Sequence, residues 1–174
     1  MRREITDGTV ANVVITDKEI TMQGVTILNL AMTQPGQKLE HLELNNNNLG
    51  ANEAKALAAC LPKSLTTLDL HGNLIGDTGA SAIVVNMPTA LSVLYLSNNG
   101  IDDDGATSFA AVLSSTMTEL FLNGNKIGDA GATSIAANLP RSLKELSMSY
   151  NKVGNVGSKA IADALPLTLT DFVP

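Results

Sequence analysis

Tryptophan is absent from the 174 residues, and three Phe and two Tyr are the only aromatics, 3% of the chain. A core built under that restriction must rest on aliphatic side chains, so any aromatic placed away from it is informative. Cys60 is the only cysteine. It excludes an intrachain disulfide and suits a reducing, intracellular setting, cytoplasmic or organellar rather than secreted. Set among alanines in a helical segment, it reads as a small buried filler. No apolar run approaches the ~20 residues a membrane span requires. The start, Met1-Arg2-Arg3-Glu4-Ile5-Thr6-Asp7, has no apolar stretch of the kind a secretory leader carries. Positive charge is scarce, with 11 Lys and Arg against 17 Asp and Glu, a net charge of −6 and a pI near 4.7. That balance argues against a nucleic-acid partner.

Regularity takes the place of these missing features. Leu39, Leu65, Leu91, Met117, Leu143 and Leu169 are spaced by 26 residues. Asn47, Asn73, Asn99, Asn125 and Asn151 keep the same period, as do Gly79, Gly105, Gly131 and Gly157. A fixed period of this size marks a solenoid, in which each repeat is one supersecondary unit that buries its apolar face against its neighbours.

One repeat, residues 65–90, shows the unit. Leu65, Leu68 and Leu70 form L-x-x-L-x-L, a short strand whose apolar side chains point inward. From Ile75 the spacing becomes helical, through Gly79, Ala80, Ile83, Val84 and Met87. Asp77, Asp103 and Asp129 fall in the first helical turn, where the helix dipole favours an anion. Pro62, Pro88, Pro140 and Pro166 end the helices before the next strand. Strands joined through helices must run parallel. The expectation is an α/β horseshoe, a parallel sheet on the concave wall and helices on the convex one.

L-x-x-L-x-L-x-x-N followed by I-G-D-x-G-A-x-x-I-A-x-x-L resembles the leucine-rich repeats of the ribonuclease-inhibitor class, also found in Ran GTPase-activating proteins and NOD-like receptors. The resemblance implies that Asn47, Asn73, Asn99, Asn125 and Asn151 form a structural ladder satisfying backbone groups in the turns. It covers residues 39–166, five 26-residue repeats within a single domain spanning 1–174. Residues 10–38 read as a degenerate first repeat, with Val10, Val13 and Ile15 at strand positions and Lys18 in place of the ladder asparagine. Residues 167–174 read as a terminal strand stub with Leu169 and Phe172 folded inward: either the stub is itself the cap, the chain is a fragment, or its open edge is covered by a partner subunit or a second copy.

Residues between the strand leucines face the concave wall. The first such row runs Asn12, His41, Thr67, Val93, Glu119, Glu145, and the second Val14, Glu43, Asp69, Tyr95, Phe121, Ser147. The third is Thr16, Asn45, His71, Ser97, Asn123, Ser149. Tyr95 and Phe121 are adjacent on this polar surface with Val93 beside them, an arrangement suited to anchoring a protein ligand. Tyr150 extends that patch along the strand ends. His41, Glu43, Asp69 and His71 form a polar group that suits docking of a partner's Lys or Arg, with Glu43 and Asp69 close enough to raise one carboxylate's pKa. The two histidines sit too far apart to share an ion, and no H-x-x-x-H or C-x-x-C spacing supports a metal site. Asp102-Asp103-Asp104-Gly105 lacks the alternating ligands and distal Glu of a calcium loop and reads as helix capping. The glycines form no phosphate cradle.

These readings favour a non-catalytic recognition module, or a subunit of a larger complex, that binds protein through its concave face without cofactor, metal or nucleic acid. One alternative is a GTPase-activating protein similar to the Ran regulators, although their acidic tail is missing here. Another is an enzyme built around Glu43 and Asp69, which lacks a nucleophile.

Overall fold

The computed structural model describes residues 2–6 and 9–173, with side chains from residue 11 onward. It contains one sheet of eight strands in sequence order: β1 (Arg2–Thr6), β2 (Thr9–Val14), β3 (His41–Glu43), β4 (Thr67–Asp69), β5 (Val93–Tyr95), β6 (Glu119–Phe121), β7 (Glu145–Ser147) and β8 (Asp171–Val173). From β2 to β8 every pairing is parallel, and each strand from β3 to β7 advances by 26 residues, as in Leu42↔Leu68↔Leu94↔Leu120↔Leu146. Those five leucines are wholly buried. Six helices alternate with the strands: α1 (Met22–Met32), α2 (Ala51–Ala58), α3 (Gly76–Val85), α4 (Asp103–Ala110), α5 (Asp129–Ala137) and α6 (Asn155–Ala164). The parallel strands with intervening helices fit the α/β repeat solenoid expected from the periodicity.

β1 departs from that expectation. It pairs antiparallel with β2, Thr6 opposite Thr9, so the sheet is mixed. Without it, β2 would present an unpaired row of backbone groups, and β1 covers that edge. The sequence does carry a hairpin signal there, Asp7-Gly8 between β-prone residues.

Asn47, Asn73, Asn99 and Asn125 are buried and Asn151 is half-buried, and each side chain bonds across a repeat boundary. Asn125 Oδ1 accepts from Asn99 N at 3.0 Å and Ile101 N at 3.1 Å, while its Nδ2 donates to Leu96 O at 3.0 Å and Leu122 O at 2.9 Å. Asn73 repeats that pattern with Asn47 N, Leu49 N, Leu44 O and Leu70 O. The side chain of each repeat therefore satisfies the turn of the repeat before it, which lets three-residue strands persist where ladder bonds alone are few. Lys18 has no amide to contribute, and its repeat only receives: Lys18 N donates to Asn47 Oδ1 at 2.9 Å.

The residue before each ladder position turns left-handed. Asp17, Asn46, Gly72, Asn98, Gly124 and Tyr150 have φ of 54°, 56°, 67°, 54°, 66° and 58°. Asn and Gly tolerate this region, whereas an aromatic there is strained. Asn and Gly also alternate for a reason of space: a Cβ on Gly124 would meet the Asn98 carboxamide.

The first-turn aspartates act across repeats. Asp103 Oδ1 accepts from Gly128 N at 2.7 Å and Gly131 N at 2.8 Å, and Asp129 Oδ1 from Gly154 N at 2.8 Å and Gly157 N at 2.7 Å. Asp77 Oδ1 accepts from Asp102 N at 2.8 Å. Each thus serves the start of the next helix, in addition to sitting in the first turn of its own. Capping of α4 itself falls to Asp102, which accepts from Asp104 N at 2.9 Å. At the crossing, a Cβ on Gly131 would lie 2.9 Å from Ala106 Cβ, so adjacent helices require glycine there.

Phe109 is the one aromatic wholly inside the core. Leu169 and Phe172 pack partly buried against it, and Val173 beyond them is 42% exposed. Cys60 differs from its sequence reading: it follows α2 in a turn, its N–H donating to Leu57 O, and is only half-buried. A residue in a turn lies off the apolar helix face, which explains the exposure.

Candidate functional site

The parallel register assembles three rows on the concave wall. The first reads His41, Thr67, Val93, Glu119, Glu145, Asp171, and the second Glu43, Asp69, Tyr95, Phe121, Ser147, Val173. β8 therefore lengthens both rows by Asp171 and Val173, which the sequence reading passed over although the same 26-residue step predicts them. Tyr95 and Phe121 stack with ring centroids 4.4 Å apart and planes 3° from parallel. Both are half-buried and stand outside the aliphatic core. Val93 lies two residues before Tyr95, on the same face.

Negative charge surrounds the stack. The Tyr95 hydroxyl is pushed above its usual range by burial first, then by Glu119, Asp69, Glu145 and Glu43. Glu145 is raised by desolvation, then by its row neighbours Glu119 and Asp171. Asp69 is also raised, but not for the expected reason. Burial is the main cause, opposed by the His71 backbone N–H, which donates to Asp69 Oδ1 at 2.8 Å, and by the His71 charge. Glu43 and Asp69 are register partners, yet Glu43 does not contribute to the shift.

The third row bonds to itself and to Ser147 of the second. Asn123 N donates to Ser97 Oγ at 3.1 Å, and Asn123 Oδ1 accepts from Ser147 Oγ at 2.7 Å and Ser149 N at 2.8 Å. Among the described residues no three His, Cys, Asp or Glu side chains converge as a metal-binding group. His41 and His71 fall in different rows, on β3 and just after β4.

Tyr150 is placed away from the pair. It is 90% exposed and makes no ring contact with either aromatic. It lines a hollow of about 210 Å³ at the terminal end of the solenoid, together with Met148, Val153, Ile161 and Phe172. No helix among the described residues is long and apolar enough to cross a membrane.

No curated protein matches this sequence. Among solved structures the chain is similar to leiomodin-1 actin-binding site 2, with TM-score 0.55 and 20% identity over 71% of this chain and 78% of that one. Pollen receptor kinase 3 aligns at TM-score 0.38 and 19% identity over 87% of this chain and 56% of that one. The leiomodin likeness is one of fold. The leucine-rich repeat profile matches residues 37–58, 62–84, 89–110, 113–136 and 140–162. With five matches over more than half of its length and one strand and one helix in each, the chain belongs to the leucine-rich repeat family.

Proposed function

We propose that residues 1–174 form one non-catalytic recognition domain that binds a protein partner through its concave face. The observation that carries this reading is the Tyr95–Phe121 stack, two large rings kept out of the core on a wall lined mostly by polar and charged side chains. Rigid aromatic anchors with a polar surround are the usual composition of an interface centre. Val93 extends the apolar centre, with Glu119 and Glu145 on one side and His41, Glu43, Asp69 and His71 on the other. The repeat signature supports membership of the ribonuclease-inhibitor class, and the single cysteine supports a reducing compartment.

The test is a photo-crosslinking amino acid placed at Phe121 or, for comparison, at Thr133 on the convex helix α5. Crosslinks from position 121 alone fit the proposal. Crosslinks from 133 alone move the site to the helices and end it. For the partner so identified, Phe121→Ala costs about 1 kcal/mol or more of affinity with the fold intact.

We further propose the β8 edge and the neighbouring hollow as a second contact, within a larger complex. The unpaired edge of a terminal strand and the outward Val173 support it. A protein that stays monomeric at high concentration, with β8 solvent-facing in its native complex, overturns that assignment. Regulation of a GTPase in the manner of the Ran proteins is tested by stimulated GTP hydrolysis, and acid/base chemistry by Glu43→Gln. No observation favours either.

A further inference from the structure

Phe121 has two ring faces, and Tyr95 covers one of them. The other looks along the sheet toward β7, where the register brings Ser147 alongside. Ser147 is too short to cover a ring; it lies low between its neighbours, 7% exposed, with its hydroxyl donating to Asn123 Oδ1. The next side chain in the row is Val173. Phe121 and Val173 stand two strands apart, roughly 9–10 Å by sheet spacing. A single planar layer, needing about 3.5–4 Å on either side, fits between them. The result is a slot with Phe121 as one wall, Val173 as the other and Ser147 as its floor.

One flank of the slot is lined by Glu119, Glu145 and Asp171, aligned on consecutive strands two residues before the slot residues. Side chains at this spacing project from the same face of the sheet. Among the described residues the one ion pair is Lys159–Asp163 on α6, so none of these three carboxylates has a cationic partner. The mutual repulsion along this row is what a cation placed in the slot relieves.

We propose that the slot receives an arginine side chain of the protein partner, its guanidinium stacked on the free face of Phe121 over Ser147 and its N–H groups directed at Glu145 and the carboxylates beside it. This rests on the concave-face reading above and names what that face selects. Arginine meets both halves of the site, because its guanidinium is planar, stacks on aromatic faces and presents several donors to carboxylates. Lysine meets the charge without the plane. An aromatic ligand meets the plane without the charge.

The experiment uses the intact chain, labelled with nitrogen-15, and three probe peptides: acetyl-Gly-Arg-Gly-amide and its lysine and citrulline counterparts. Amide shifts report both site and affinity. The arginine probe is expected to perturb Glu119, Phe121, Glu145 and Ser147, and to bind about threefold or more tighter than the lysine probe. Citrulline keeps the shape without the charge and should bind about tenfold more weakly than arginine. Ser147→Leu fills the slot and should abolish binding of the arginine probe. Glu145→Gln leaves the slot open and should weaken binding severalfold, a second variant in case the first does not fold. Equal affinity for arginine and lysine, shifts mapping elsewhere, or no shift with any probe overturns the assignment. The crosslinking test of the concave face uses no arginine peptide, so the two readings fail separately.

Discussion

Asp103 sits in the first turn of α4 and holds the start of α5: its Oδ1 accepts from the Gly131 N–H at 2.8 Å and from Gly128 N at 2.7 Å. The glycine at 131 makes this approach feasible, since a Cβ there would lie 2.7 Å from the same oxygen. An aspartate that favours its own helix through the dipole also joins two repeats.

Asp103→Ala should therefore destabilise the protein by about 1 kcal/mol, the usual cost of losing a helix-start acceptor. Native-state amide exchange locates the effect. Faster exchange at Gly128 and Gly131 is expected, with the amides of α4 little changed. The reverse pattern refutes the inter-repeat link.

On the opposite side of each repeat the polar link is the asparagine ladder. Asn125→Ala leaves the buried Asn99 and Ile101 N–H groups and the Leu96 carbonyl without their partner, while Leu122 O keeps Asn151 Nδ2. Urea unfolding should show a loss of about 1–3 kcal/mol or more. A change within about 0.5 kcal/mol, typical of a surface site, contradicts the ladder at that position.

Tyr150 occupies a left-handed position that the neighbouring repeats fill with Asn or Gly. Tyr150→Asn should relieve the backbone cost, a gain of roughly 0.5–1 kcal/mol measured by thermal unfolding. A loss instead shows that the ring contributes packing to the hollow beside Phe172.

Asp69 provides a prediction in pH. Burial raises its folded-state pKa above the ordinary 3.8, so the native state binds this proton more tightly than the unfolded chain. Its contribution to stability is complete below 3.8 and is lost as pH rises through the raised value. Asn in its place can still accept from His71 N without a charge to desolvate. Asp69→Asn should match the parent in acid and exceed it near neutrality, and a difference that does not change with pH contradicts the burial argument.

The repeat fold was legible because a chemical requirement recurs every 26 residues, as with Leu42, Leu68 and Leu94, and periodicity exposes it. The concave rows followed, since strand alternation and parallel register are both local rules. What escaped was specific to single positions. β1 lies outside the period, and its only signal in the sequence is the Asp7-Gly8 dipeptide. The destination of the Asp103 carboxylate depends on how closely α4 and α5 approach, a distance the linear chain does not encode. Asp69 resembles a repelled carboxylate in the sequence, but how deeply it is buried is settled by the packing around it.

The two sets of polar links cross repeat boundaries in opposite directions. The turn of each repeat is completed by the asparagine that follows, and from α3 onward a helix aspartate reaches forward to the next helix. Removing or adding one whole period inside the array therefore preserves both. Excising residues 91–116 sets Asn125 against Asn73 and offers Asp77 to Gly128, so every link finds a chemically identical partner. An indel within a strand or its turn faces leucines with turn residues, whereas a helix-to-strand link absorbs other lengths: β2 and β3 stay in register across a 29-residue step, with Lys18 N still bonded to Asn47 Oδ1. The number of strands, more than the number of residues, is what changes in whole steps: the regular part of the array grows or shrinks by one complete repeat at a time.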